Sequence, residues 1–323
     1  TGERYPLFVE LDAGGTTAAD RLVLIRPAVD WKAGHRYVVA LRNLKDATGA
    51  TIPAPGSFVQ YRDGDSGVAA PKVEARRPHF EQLLDELGAA GIGRGDLYLA
   101  WDFTVASTRN TTGRLISMRD QALASLDGGA PSFQVVAVQA NPQTGIVRRI
   151  DGTFQVPLFL TGDGSPGNPM STAADGTPKR NGTYTARFTC FVPSSATAAA
   201  PARPVVYGHG LFGDRGEVGS GGQTAMVREH GFLYCATDWI GMAEEDISNA
   251  AAIISDVSKF RSLPDRSQQG ILDTIFLGRL LHHPQGFASD PAFQDGSGHP
   301  IVDTDHLFYD GNSQGGIIGG AYL

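Results

Sequence analysis

From Pro204 onward the chain alternates. Pro204 to Tyr207 is an apolar run of strand length, Gly222 to His230 has helical character, and Phe232 to Thr237 is a strand run again. Gln268 to His283 then carries a helical period, His306 to Tyr309 reads as a strand, and a small-residue helix begins at Gln314. Strands separated by helix-length segments pair in parallel, because a parallel crossover needs a long connection and a helix supplies it. The expected fold class is therefore α/β, with a mostly parallel sheet covered by helices.

The first part of the chain reads differently. Tyr5 to Leu11, Arg21 to Ile25, Arg36 to Leu41 and Ser57 to Tyr61 are short strand-like runs, set apart by turn residues such as Gly14-Gly15 and Ala54-Pro55-Gly56. Such spacing suggests a small β-sandwich. The segment Trp31 to Val39, followed by Leu44 to Gly49, resembles immunoglobulin-like modules of bacterial secreted proteins. Helices are expected at Pro78 to Gly88 and Thr112 to Leu126, where apolar residues recur at helical spacing, with a strand at Leu97 to Ala106 between them. Asp127-Gly128-Gly129-Ala130-Pro131 punctuates the chain, so the expected domains are 1–130, β-rich, and 131–323. In the second, Phe133 to Gln139, Phe154 to Leu160 and Tyr184 to Val192 also read as strands.

Composition narrows the function classes. The chain of 323 residues is long enough for a large core, and its net charge of −7 comes without long like-charge runs or a basic stripe interleaved with aromatics. Nucleic acid is therefore not an expected partner. No apolar run reaches membrane-spanning length. Two cysteines, Cys190 and Cys235, have no metal-ligand spacing, and no metal or organic cofactor is expected. Arg outnumbers Lys and Ala and Gly are heavily used, a pattern associated with high-GC bacterial genomes.

The chemistry is concentrated in "LFYDGNSQGG", Leu307 to Gly316. An apolar strand runs into Gly311, Ser313 and Gly315, and a helix begins at once. A turn that tight leaves no room for side chains beside the serine, which accounts for Gly311 and Gly315, and it pushes the Ser313 hydroxyl outward in a strained conformation. Upstream, "PVVYGHGLFG" carries a strand into the glycine-rich loop Gly208 to Gly213, suited to presenting backbone N–H groups to a developing oxyanion. Within it stand His209 and Gly210. The Leu211 N–H is one expected donor, and the Gln314 N–H, directly after Ser313, is the other.

This order of oxyanion loop, "FLYCATDWIGMAEED", long helix and elbow resembles the α/β-hydrolase superfamily, and more narrowly large bacterial secreted esterases and lipases with a β-rich N-terminal region. The resemblance covers roughly the second half of the chain. It implies a secreted or envelope-located serine carboxylic-ester hydrolase acting on a small-molecule or lipid ester. A polyester depolymerase or peptidase with the same machinery, or a catalytically inert binding or adhesion protein, are the alternatives. The family's sheet order places the strands of Cys190 and Cys235 side by side, implying a disulfide if the side chains share a face; two unpaired buried thiols are the alternative.

A serine nucleophile needs a base, and in this superfamily the acid and the histidine follow the nucleophile. Neither residue type occurs after Ser313. His306 begins the elbow strand about 13 Å from Asp310 at about 3.3 Å per residue, toward the wrong end, and His209 is expected to brace its loop. The triad is thus expected to be completed beyond Leu323, with residues 1–323 alone inactive. Other residues take structural readings. His282 and His283 cap a helix end, Asp303 and Asp305 form turns, Asp238 fixes a loop, and Gly91 to Gly95 is a turn and no phosphate loop. The stretch Gly241 to Arg266 is either a cap over the active site or a plain surface helix.

Overall fold

The computed structural model describes residues 4–17, 20–64 and 71–323. Two compact units divide at Thr112/Gly113. In the first, β1 (Leu7–Leu11) pairs antiparallel with β2 (Val23–Pro27), and β3 (Arg36–Arg42) pairs antiparallel with β4 (Leu97–Thr104). The described residues of this unit thus form two separate two-stranded sheets rather than the expected sandwich. Between β3 and β4 lie α1 (Gly56–Arg62) and α2 (Pro71–Ala89). The strand expected at Ser57 to Tyr61 is α1. Phe58 and Tyr61, three apart, share one helical face, and Tyr61 stacks on Phe80 of α2 at 3.9 Å between ring centroids. Helix α2 begins ahead of the expected Pro78 and runs through it, so the Glu74 carbonyl loses its helical donor there. Leu83, Leu84, Leu87, Leu97 and Ala100 complete this small core.

Helix α3 (Thr108–Ala124) crosses the division, and Met118 and Ala122 belong to the core of the second unit. The glycine-rich punctuation at Asp127 to Pro131 is the turn that leads from α3 toward β5 (Phe133–Gln143). β6 (Ile146–Pro157) and β7 (Thr183–Pro193) follow, then β8 (Arg203–Gly208), α4 (Gly221–His230), β9 (Phe232–Thr237), α5 (Ile247–Ser255), α6 (Ser262–His282), β10 (Phe308–Gly311) and α7 (Gln314–Tyr322). Six strands form one sheet in the order β10-β8-β9-β7-β6-β5.

That sheet is mixed, not mostly parallel as expected. β10, β8 and β9 run parallel, but β9–β7, β7–β6 and β6–β5 are antiparallel. For β5 and β6 the cause is connection length: only a short turn separates Gln143 from Ile146, and a two-strand connection that short can only reverse direction. Parallel pairing is confined to the alternating part of the sequence, where α4 and then α5 and α6 make the crossovers. Cys190 of β7 faces Cys235 of β9 in register, their Cα atoms 4.1 Å apart, and the disulfide is formed.

The core lies between this sheet and α6, where Leu272, Phe276, Leu277, Leu280 and Leu281 pack with Phe154, Phe188, Phe287 and Phe293. Gly270 lets the helix approach the chain after β9, since a Cβ there would sit 2.6 Å from the Ile240 carbonyl oxygen. The crossover after β8 moves to one neighbour, β9, while the next returns past β8 to β10. The carboxyl end of β8 is therefore a point where the strand order reverses, the place where open α/β sheets leave a crevice.

Candidate functional site

Both segments singled out from the sequence meet at the carboxyl end of β8. β10 ends at Gly311, Ser313 adopts φ 50° and ψ −112°, and α7 starts at the next residue. This backbone lies in a region that L side chains rarely occupy. The turn is closed by the Gly315 N–H on the Asn312 carbonyl (2.8 Å) and the Gly316 N–H on the Ser313 carbonyl (3.0 Å), while the Asn312 N–H donates to the Gly208 carbonyl (3.0 Å). Added Cβ atoms show why the sequence needs glycine here. At Gly311 one would lie 2.6 Å from the Gly315 carbonyl carbon, and at Gly315 one would collide with the Gly208 carbonyl oxygen. The Ser313 side chain stands exposed, and its hydroxyl makes no hydrogen bond to another described residue.

The loop after β8 abuts this turn: a Cβ on Gly210 would be 3.9 Å from the Ser313 Cβ. Its shape is held by several bonds. The Phe212 N–H donates to the Met242 carbonyl (2.9 Å), the Gly213 N–H to the Gly210 carbonyl (3.0 Å), and the Glu244 N–H to the Gly213 carbonyl (3.0 Å). Phe212 takes a positive φ of 56° to make the bend. Among the described residues, neither the Leu211 N–H nor the Gln314 N–H donates a hydrogen bond. Two backbone donors in adjoining turns are thus left open beside an exposed serine.

His209 is buried, 1% exposed, and both ring nitrogens are engaged: Nε2 accepts from the Trp239 N–H at 2.8 Å, and Nδ1 lies 2.8 Å from the Gly210 carbonyl oxygen. Its ring cannot serve the serine. His306 pairs with Asp303 at 2.9 Å and precedes β10. Asp303 also accepts from the Asp305 N–H in a turn. His282 ends α6, and His283, its C-cap, accepts from the Gln285 N–H. No three His, Cys, Asp or Glu side chains among the described residues are grouped to hold a metal ion.

Sequence reasoning missed the supports of the site. Glu217 accepts from the Gly210 N–H at 3.1 Å and from the Tyr207 hydroxyl at 3.3 Å, fastening the loop from beneath. Burial first, and then that carboxylate, push the Tyr207 phenol up to about 12. The Gln314 side chain is buried, with Nε2 against the Met242 sulfur. Tyr309 donates from its hydroxyl to the Gly315 carbonyl at 2.5 Å. Only an acidic residue a few positions after a glycine-rich loop signalled Glu217, and nothing in the sequence singled out Met242. Asp238 fixes a loop as read: it accepts from the Arg215 N–H at 2.9 Å and pairs with Arg187 and Arg215.

No family model and no curated protein sequence matches this chain. Among solved structures it is similar to acetyl xylan esterase 1 from a Thermoanaerobacterium species, at 15% identity and a TM-score of 0.35 over 62% of this chain and 51% of that one. It is similar to an acetyl xylan esterase from a Paenibacillus species at 18% identity, TM-score 0.34, over 65% and 54%. A glucuronoyl esterase from Solibacter usitatus aligns at 12% identity, TM-score 0.30, over 57% and 46%. The chain spans about half the length of these structures.

Proposed function

We propose that this protein is a serine carboxylic-ester hydrolase with Ser313 as nucleophile and the Leu211 and Gln314 N–H groups as oxyanion donors. One observation carries the reading: a serine at φ 50° between a strand and a helix, adjoining a loop whose amide is open. In this reading the Ser313 oxygen bonds to the ester carbonyl carbon and the two amides stabilise the oxyanion. The carbon–oxygen bond to the alcohol then breaks, the alcohol leaves with the serine proton, and water releases the acid from the acyl-enzyme. His209 and Gly210 shape the loop; Gly311 and Gly315 permit the turn.

The substrate is a small-molecule or lipid ester, and the protein functions outside the cytoplasm, where the buried Cys190–Cys235 disulfide forms readily. No helix among the described residues is long and apolar enough to cross a membrane. The test is reaction of the whole gene product with a fluorophosphonate probe, followed by peptide mapping. Labelling confined to Ser313 and lost in Ser313→Ala is the expected result. A folded protein that hydrolyses a nitrophenyl ester equally well after Ser313→Ala overturns the reading.

A further inference from the structure

The second unit holds a cavity of about 500 Å3 whose polar lining is Arg187, Asp214, Arg215, Asp238, Glu244 and Glu245. Ser313 is not part of its wall. The volume is within the range of small-molecule sites, but the lining is not the apolar one usual there.

Its donors and acceptors are only partly used. The Asp238 carboxylate is saturated, with Oδ2 taking Arg187 at 2.9 Å and Arg215 at 3.1 Å and Oδ1 taking the Arg215 N–H. Arg187 contributes one nitrogen to that pair while its side chain is half exposed. The Arg215 Nε is buried without a partner among the described residues, so what Arg215 offers the cavity is confined to its terminal nitrogens. The Glu244 carboxylate makes no hydrogen bond among the described residues, and Glu245 shares Arg266 with Asp246.

The chemistry of the wall selects among ligands. Four carboxylates against two guanidinium groups disfavour an anion. An apolar ligand would strip water from charged groups and return nothing. A hydroxyl group both donates and accepts, so a ligand dense in neutral hydroxyls can satisfy a guanidinium and a carboxylate side by side. We propose that this cavity is a binding site for a neutral saccharide. It stands independently of the acyl-enzyme reading, yet it shares a wall with the site loop: Asp214 and Arg215 directly follow Gly213, and the Glu244 N–H holds the Gly213 carbonyl.

The test is direct binding, by saturation-transfer NMR and titration with D-glucose, D-xylose and D-glucuronate. The variants are Arg187→Leu, which leaves Asp238 paired with Arg215, and Glu244→Ala, which removes an unbonded side chain. Thermal unfolding checks that both fold. Binding of the neutral sugars, weakened at least about tenfold by each variant and weaker still for glucuronate, is the expected result. No saturation transfer, transfer that survives both variants, or preferential binding of glucuronate overturns the proposal. Ser313→Ala serves as control: it removes esterase activity under the reading above and leaves sugar binding unchanged, so the two proposals fail separately.

Discussion

The Nε2 of His209 accepts a hydrogen bond from the Trp239 backbone N–H at 2.8 Å. An amide can only donate, so Nε2 carries no hydrogen and the hydrogen is on Nδ1, directed to the Gly210 carbonyl. One ring therefore ties the exit of β8 to the exit of β9 and holds the loop beside Ser313. His209→Ala should cost about 2–4 kcal/mol, because it opens a cavity and leaves a buried amide unpaired. His209→Gln, whose amide oxygen can approach the Nε2 position, should recover part of that loss. Urea denaturation checks both; a loss under about 0.5 kcal/mol for the alanine variant contradicts the bracing role.

With both nitrogens of His209 engaged and His306 on Asp303, no histidine among the described residues bonds Ser313. A neutral serine hydroxyl without a base is a weak nucleophile.

The conformation of Ser313 has a cost in stability. Strain in a sparsely populated region is about 1–3 kcal/mol, and glycine relieves it while adding about 0.4–1 kcal/mol of unfolded-state entropy. Ser313→Gly should thus raise stability by about 1 kcal/mol while abolishing hydrolysis. A glycine variant less stable than the wild type would show that the turn is not strained.

Gly315 and Gly320 are close in sequence on α7 and should respond in opposite ways. A Cβ at Gly315 collides with the Gly208 carbonyl oxygen and comes within 2.9 Å of the His209 carbonyl oxygen, and neither backbone atom can rotate away. Gly315→Ala should cost about 3 kcal/mol or abolish folding. At Gly320 nothing lies within 4 Å, and Gly320→Ala should stabilise the helix by about 0.5–1 kcal/mol. Matching thermal shifts in the two variants would contradict this packing.

What the sequence disclosed and what it hid follow from the range of the interactions. Local signals were dependable: β9 spans Phe232–Thr237 as read, α7 begins at Gln314, and the strand-to-helix turn at Ser313 follows from glycine spacing. Phe58 and Tyr61 misled because an apolar pair three residues apart in a five-residue run fits strand or helix equally, and only Phe80, distant in sequence, decides for the helix. Strand direction was hidden for a similar reason. β7 contributes a buried apolar run that suits either pairing, and its antiparallel match to β9 is fixed by contacts between distant segments, Cys190 with Cys235 among them. The site's supports, Glu217 and Met242, act through contacts that no spacing rule encodes.

The Cys190–Cys235 bridge closes a loop with a sequence separation of 45. Loop-closure entropy for that length is about 4 kcal/mol. The double variant Cys190→Ala/Cys235→Ala should lose stability of that order in denaturant titration, and the wild type should show no free thiol to an alkylating reagent without reductant. Full alkylation of both cysteines under native, non-reducing conditions would exclude the bridge.

Asp273 gives the stability a pH dependence of definite sign. Its side chain is fully buried on α6, Oδ1 accepts from Gln269 at 2.9 Å, and Oδ2 has no partner among the described residues. Burial raises this carboxyl to about 8, against the opposing pull of the Gln269 bond and Arg266, with Asp238 and Glu245 adding to the rise. The unfolded chain releases the same proton near the ordinary value of about 4. Between those values the folded state holds a proton that the unfolded state has lost, so this contribution is intact below about pH 4 and is lost as pH rises toward about 8, at up to about 1.4 kcal/mol per unit. Asp273→Asn mimics the protonated carboxyl and cannot ionise. The difference in unfolding free energy between the variant and the wild type, measured in denaturant at pH 5, 6.5 and 8, should therefore move in favour of the variant as pH rises. A difference that stays constant across that range would mean that Asp273 does not titrate in the folded protein.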